Sequence, residues 1–250
     1  MEITAIIQAR MGSSRLPGKV LMDICGKPVL WHIVNRISKS KYIGNVVIAT
    51  SDDKIDDAVS RFAGNNDIYI YRGNQYNVLE RYYKCACIYN TDIIIRFTGD
   101  NVLVDPHIID NGIEYFNKRR NLDYIYYREG LPVGMAVEIF TFQALETAYY
   151  EAADSECFEH VTPYIYKNSG KYNTERVRCI GTDYSHLRWT LDTKEDYLLL
   201  SEIYGALYKN ERSIFYYENI LEQYKYHKEW QHLNSSVRQK KIIYNGENLN

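Results

Sequence analysis

The sequence predicts an α/β fold built on a mainly parallel sheet, and three observations carry that prediction. Apolar runs rich in β-branched residues recur through the first half, at 3–9, 45–50, 67–71 and 92–97. Between them lie stretches with apolar residues at helical spacing. The run Ile93-Ile94-Ile95 has no polar face at all. Strands that read as continuously apolar are covered on both faces, and strand–helix alternation makes them parallel.

The elements follow in order. Ile3 to Ala9 is the first strand, and it runs into a loop carrying Arg10, Gly12, Ser13, Ser14, Arg15, Gly18 and Lys19. Val29, Leu30, Ile33, Val34 and Ile37 give a helix over Pro28 to Ser40, with Pro28 suited to its first turn. Asn45 to Thr50 is a buried strand, and Ser51-Asp52-Asp53 offers caps to a helix over Lys54 to Ala63. A strand over Asp67 to Tyr71, a helix over Asn77 to Tyr89 and a strand over Asp92 to Phe97 complete the regular half. Beyond it, Asp105 caps a helix over Pro106 to Lys118, and strands are expected at Asp123 to Arg128 and Val137 to Phe142. A helix over Gln143 to Ala153, one continuous helix over Phe158 to Asn168, and strands at Thr174 to Ile180 and Leu187 to Leu191 come next. Lys194 to Tyr208 and Tyr217 to Lys225 are the closing helices, and the last ~20 residues read as a polar, loosely held tail.

Bulk properties narrow the class. At 250 residues with 46% hydrophobic content, the chain can bury a substantial core. A formal net charge of −2 gives no overall field for nucleic acid or anionic membranes, so neither is an expected partner. No apolar run reaches the ~18–20 residues of a membrane span. No N-terminal signal is read, and the expected location is cytoplasmic. Five scattered cysteines, with Cys85-x-Cys87 matching neither redox nor zinc spacing, read as free thiols. Tyrosine, at 25 residues, is overused, which reads as genome bias; the closing helices and tyrosine-rich surface permit a homodimer without requiring one.

Ligands of open parallel sheets bind beyond the carboxyl ends of the strands. Four polar ends therefore converge: Ala9 to Lys19, Thr50-Ser51-Asp52, Arg72-Gly73-Asn74, and Thr98-Gly99-Asp100-Asn101. Loop N–H groups with Arg10, Arg15 and Lys19 suit a polyphosphate, though the order matches neither a P-loop nor a dinucleotide fingerprint. Asp100, ending a buried strand beside such a loop, suits a hard cation such as Mg2+. A second carboxylate is needed, and Asp192 is either that ligand or the N-cap of the next helix.

With these elements in place, the chain resembles the nucleotidyltransferases of the spore-coat-polysaccharide and acylneuraminate cytidylyltransferase group, relatives of 3-deoxy-manno-octulosonate cytidylyltransferase. The likeness rests on the segments 7–21, 47–52, 78–83, 96–100, 159–164 and 187–193, on Arg72-Gly73, and on Asn234 to Lys240, which is similar to the family's ending. It implies a GT-A-like three-layer αβα fold over 1–210, with 211–250 a helical extension and tail of the same unit. It also implies transfer of CMP from CTP to a small anionic acceptor. On that likeness Ala9, Arg10, Gly12, Ser13, Ser14, Arg15, Lys19, Thr50, Ser51, Asp52, Arg72, Arg81 and Thr98 form the nucleotide side. Arg15, Lys19 and Asp100 are the catalytic set, Asp100 and Asp192 hold Mg2+, and Glu138, His160, Tyr164 and Arg188 face the acceptor. His160 is a possible base, though a helical histidine beside Val161 and Tyr164 is more often packed for structure. Two acidic positions usual in relatives are Val133 and Ala136 here. A glycosyltransferase would need an Asp-x-Asp motif, which is lacking; a nucleotide-binding homologue without catalysis is the other alternative.

Overall fold

The computed structural model describes residues 1–238, 243–244 and 247–248. Strand β1 (Ile3–Gln8) leads through the basic loop and a 3-10 turn at Lys19–Leu21 to a small hairpin, β2 (Asp23–Ile24) and β3 (Lys27–Pro28). Helix α1 (Val29–Ile37), β4 (Asn45–Ser51), α2 (Asp57–Asn65), β5 (Tyr69–Gly73), α3 (Val78–Ile88) and β6 (Ile93–Thr98) then alternate as the pattern predicts. After α4 (Pro106–Lys118) come β7 (Tyr124–Glu129), β8 (Val137–Thr141), α5 (Phe142–Glu151), α6 (Ser155–His160), α7 (Pro163–Lys167) and β9 (Thr174–Arg178). Helices α8 (Lys194–Leu207), α9 (Tyr217–Gln223) and α10 (Trp230–Leu233) follow, then a two-stranded pair, β10 (Ile243–Tyr244) and β11 (Glu247–Asn248).

Seven strands form one sheet in the order β5-β4-β1-β6-β8-β7-β9. The first four are parallel, β8 runs antiparallel to both β6 and β7, and β9 is parallel to β7. Side-chain alternation along β1 divides the core: Ile3, Ala5 and Ile7 pack with α1, α2, α4 and α8, whereas Ile6 packs with α3, α5 and α7. The result is a three-layer α/β fold. Phe215, Ile220 and Trp230 belong to the same core cluster as β1 and α8.

Several local expectations are corrected. Asp67 sits at φ +53, which delays β5 by two residues to Tyr69. The helix expected over Phe158 to Asn168 is two, because Val161 takes φ +71 and Pro163 opens a new first turn. Leu187 to Leu191 forms no named strand; it makes one isolated parallel bridge, Val133 to Arg188, and its Leu191 N–H donates to Asp100 O at 2.9 Å. Asn234, expected in the loose tail, is 6% exposed. The last two residues of the ending motif, Gln239 and Lys240, lie outside the described residues.

Candidate active site

Because β5, β4, β1 and β6 are parallel, their carboxyl ends share one edge of the sheet. A cavity of about 310 Å³ opens there, between Ala9, Arg10 and Arg81 on one side and Val133, Glu138 and His160 on the other. Asp100 and Asp192 line it as well.

Lys19 organises the mouth. Its Nζ donates to Asp100 Oδ2 at 2.8 Å, Asp192 Oδ1 at 2.9 Å and Leu191 O at 2.7 Å. Burial pulls the lysine pKa down, and the two carboxylates outweigh it, so the net shift is upward and the ammonium persists. Asp192 Oδ2 meets two further cations, Arg15 at 2.9 Å and Arg188 at 2.8 Å. Burial raises the Asp192 pKa, but Lys19, Arg15 and Arg188 together hold it below the usual carboxylate range. Thr193, not Asp192, caps α8, in a capping box with Asp196. That leaves the Asp192 carboxylate to the cavity. Thr98 Oγ donates to the other oxygen of Asp100.

Beneath Arg188 lies a fully buried carboxylate. Asp196 accepts from Arg188 Nε at 2.9 Å and Nη2 at 3.0 Å, from Asp192 N–H at 2.9 Å and from Asn234 Nδ2 at 2.9 Å. Arg188 is thereby tied to Asp196 and Asp192 and does not line the cavity, contrary to its expected place with the acceptor.

The nucleotide side is sorted by the same geometry. Ala9, Arg10, Arg81 and Thr98 line the cavity, and Arg15 and Lys19 reach it through Asp192 and Asp100. Gly12 and Ser14 are exposed in the loop, with Ser13 half-buried between them. Arg81 is 2% exposed; its Nη1 donates to Asn74 O and Gln75 O, while its Nε has no partner among the described residues. Burial and the neighbouring Arg10 charge lower its pKa. Thr50, Ser51 and Asp52 do not line the cavity. Ser51 is fully buried and donates to Asp56. Arg72 is also elsewhere: it donates to Ser51 O at 3.1 Å and Asp53 O at 3.0 Å and pairs with Asp57 at 2.7 Å.

On the opposite wall Glu138 is satisfied within the protein. It pairs with Arg96 and accepts from Tyr124 OH at 2.8 Å and Thr162 Oγ at 2.6 Å. Arg96 also donates to Gln8 Oε1 at 3.2 Å. His160 reaches the cavity, and burial together with Arg96 lowers its pKa. Thr162 N–H donates to His160 O at 2.8 Å around Val161 at φ +71 and ψ −58, a γ-turn strained for a β-branched residue. That turn presents His160 and Thr162 to the same wall. Tyr164 does not join them; its hydroxyl donates to Glu151 at 2.5 Å and it lies outside the cavity.

Sequence reasoning passed over Arg96, Arg128, Tyr126, Asp56, Asp196 and Asn234 as site residues. Arg96 carried a readable signal, a charge inside a β-branched run where only a paired group survives burial.

A parallel-sheet edge bearing a basic Gly/Ser loop, with a lysine between two carboxylates at the mouth of a cavity lined by both arginines and carboxylates, suits a nucleotidyltransferase. More narrowly, the chain belongs to the cytidylyltransferase family, whose profile, described as Cytidylyltransferase, matches residues 4–249. It is 34% identical over 215 residues to the spore coat polysaccharide biosynthesis protein SpsF of Bacillus subtilis, covering 81% of this chain and 86% of that one. A solved cytidylyltransferase from Leptospira borgpetersenii superposes with a TM-score of 0.86 at 31% identity, over 98% of this chain and 99% of that one. The CMP:2-keto-3-deoxy-manno-octonic acid synthetase solved with CTP shares the fold, at TM-score 0.62 and 18% identity over 82% of this chain and 99% of that one.

Proposed function

We propose that this protein transfers CMP from CTP to an acid-sugar or phosphorylated acceptor, releasing pyrophosphate and supplying a precursor for surface polysaccharide or glycoconjugate. The observation that carries this reading is Lys19 held between Asp100 and Asp192, with Arg15 on the same aspartate. An acceptor oxygen attacks the α-phosphorus in line while Arg15 and Lys19 turn from the carboxylates to the departing pyrophosphate. Catalysis is then largely positioning and charge neutralisation.

Asp100 and Asp192 fit a divalent cation: their oxygens lie 2.8 and 2.9 Å from the same ammonium nitrogen, so both are aimed at a point where positive charge already sits. Among the described residues no cluster of three metal-binding side chains exists, so the remaining ligands would be phosphate oxygens and water, the usual preference of Mg2+. Bound there, Mg2+ would neutralise charge on the phosphates. Arg10 and Arg128 on the cavity wall favour an anionic acceptor; Arg96 is already paired with Glu138. A phosphate acceptor needs no base; a sugar hydroxyl does, and His160, held neutral by burial, would take its proton.

Incubating the purified protein with Mg2+, each nucleoside triphosphate in turn, and a panel of acid sugars and sugar or polyol phosphates tests the reading. Pyrophosphate should appear with CTP and an anionic acceptor. None with any pair would leave only nucleotide binding.

A further inference from the structure

One buried carboxylate outside the cavity fastens the base of the Arg10–Lys19 loop. Asp56 is 1% exposed, in the short turn that precedes α2. Its Oδ1 accepts the Met11 N–H at 2.6 Å, and its Oδ2 accepts the Ser51 hydroxyl at the end of β4. Ser51 Oγ in turn accepts the Asp53 N–H at 3.2 Å, so the carboxylate is braced from two directions.

Met11 is the hub of the loop. Its carbonyl accepts the N–H groups of both Ser13 and Gly18 at 2.9 Å, closing 11–18 into a ring. Gly18, at φ +73, then turns the chain directly into Lys19. Arg15 projects from this ring to Asp192, and Lys19 leaves it toward Asp100. The only side-chain oxygen bonded to the Met11 N–H among the described residues is that of Asp56. Hydrogen bonds to an ionised acceptor are roughly twice as strong as neutral ones, and a buried carboxylate keeps its charge only with such donors.

We infer that Asp56 is the positioning residue for the triphosphate loop: without touching nucleotide, it sets the place of Met11 and through it the aim of Arg15 and Lys19. This also gives Ser51 a role, as the brace of Asp56. The inference rests on the reading that this loop grips the β- and γ-phosphates.

That dependence supplies the test, because a loosened loop weakens CTP and leaves CMP nearly untouched, whereas a general loss of fold weakens both. Calorimetric titration of the full chain with CTP and with CMP is the measurement. Asp56→Ala should raise the CTP dissociation constant about tenfold or more and the CMP constant by less than about twofold. Asp56→Asn, which can still accept from Met11 and donate to Ser51, should fall between the parent and Asp56→Ala. Equal losses for the two nucleotides, or no loss with either, would overturn the inference. Hydrogen exchange without nucleotide gives an independent reading: in Asp56→Ala the Met11 and Gly18 amides should exchange faster while those of β1 stay protected. Unchanged protection of Met11 also overturns it. If the parent binds no nucleoside triphosphate, the CTP reading falls and hydrogen exchange still decides whether Asp56 fastens the loop. Should Asp56→Ala fail to fold, Asp56→Asn is read by the same two measurements.

Discussion

Replacing Asn234 by alanine tests how much the C-terminal segment stabilises the protein through the network that joins Asp196, Arg188 and Asp192. The side-chain amide donates from one nitrogen to two acceptors, Arg188 O and Asp196 Oδ1, each at 2.9 Å. Asp196 then grips Arg188, and Arg188 Nη2 passes on to Asp192 Oδ2 at 2.8 Å. Truncation removes one hydrogen bond to a charged group, about 1.5–3 kcal/mol, and one to a neutral carbonyl, about 1 kcal/mol. Partial closure of the remaining donors around Asp196 offsets some of this, leaving a loss of about 2–4 kcal/mol. In a chain of this size each kcal/mol lowers Tm by about 2–4 °C, so the expected fall is roughly 4–16 °C. Calorimetric melting of Asn234→Ala beside Ser236→Ala, whose side chain is exposed and outside this network, is the assay. A Tm within 1 °C of the parent for Asn234→Ala would refute the reasoning.

Three further outcomes are expected. Gly134 sits at φ +103, and a Cβ there would lie 2.7 Å from Trp189 O, so Gly134→Ala should cost about 3 kcal/mol and about 6–12 °C in Tm; a melt within 2 °C would contradict it. Asp100→Ala leaves Lys19 with Asp192 and Leu191 O, so the fold should survive while pyrophosphate release drops about 100-fold or more, and retained Mg2+-dependent release would exclude a role for Asp100. For pH, burial sets both His32 and His160 below the ordinary histidine value. Their stabilising contribution is therefore complete above about pH 6.5 and is lost as pH falls from there toward the folded values. Melting between pH 7.5 and 5 should show that decline, and His160→Gln should flatten part of it; an identical slope in the variant would count against a buried neutral ring. Asp192, held low by its cations, acts in a separate window: its contribution is present above about pH 3.9 and is lost on further acidification.

Much of the candidate site was legible because its parts are local. A glycine-rich basic loop after a buried strand, and Asp100 after another, show their chemistry within a few residues, and parallel strands bring such ends together. Individual loop residues were harder to place. Ser51 reads like a ligand contact, yet its hydroxyl belongs to Asp56 five positions on, and Arg72 is held by Ser51, Asp53 and Asp57. Tyr164 and Arg188 show why a motif is not a site: neighbours in sequence, such as His160 and Tyr164, can separate when a strained turn at Val161 ends the helix between them.

By itself the sequence determined the strand–helix alternation, the parallel character of β1, β4, β5 and β6 and the basic, glycine- and serine-rich make-up of the Ala9–Lys19 loop, since periodicity and residue type encode these locally. Only the tertiary structure decided that Lys19 meets Asp192 across 173 positions, that Asp56 fastens the loop, and that Asn234 supports Asp196 and Arg188. The Lys19 and Asn234 contacts depend on how α8 and the segments flanking it pack against the sheet, the Asp56 contact depends on the pairing of β1 with β4, and no local pattern carries that information. The Arg10–Lys19 loop therefore supplies the charges, and the fold around Asp56, Asp100 and Asp192 aims them.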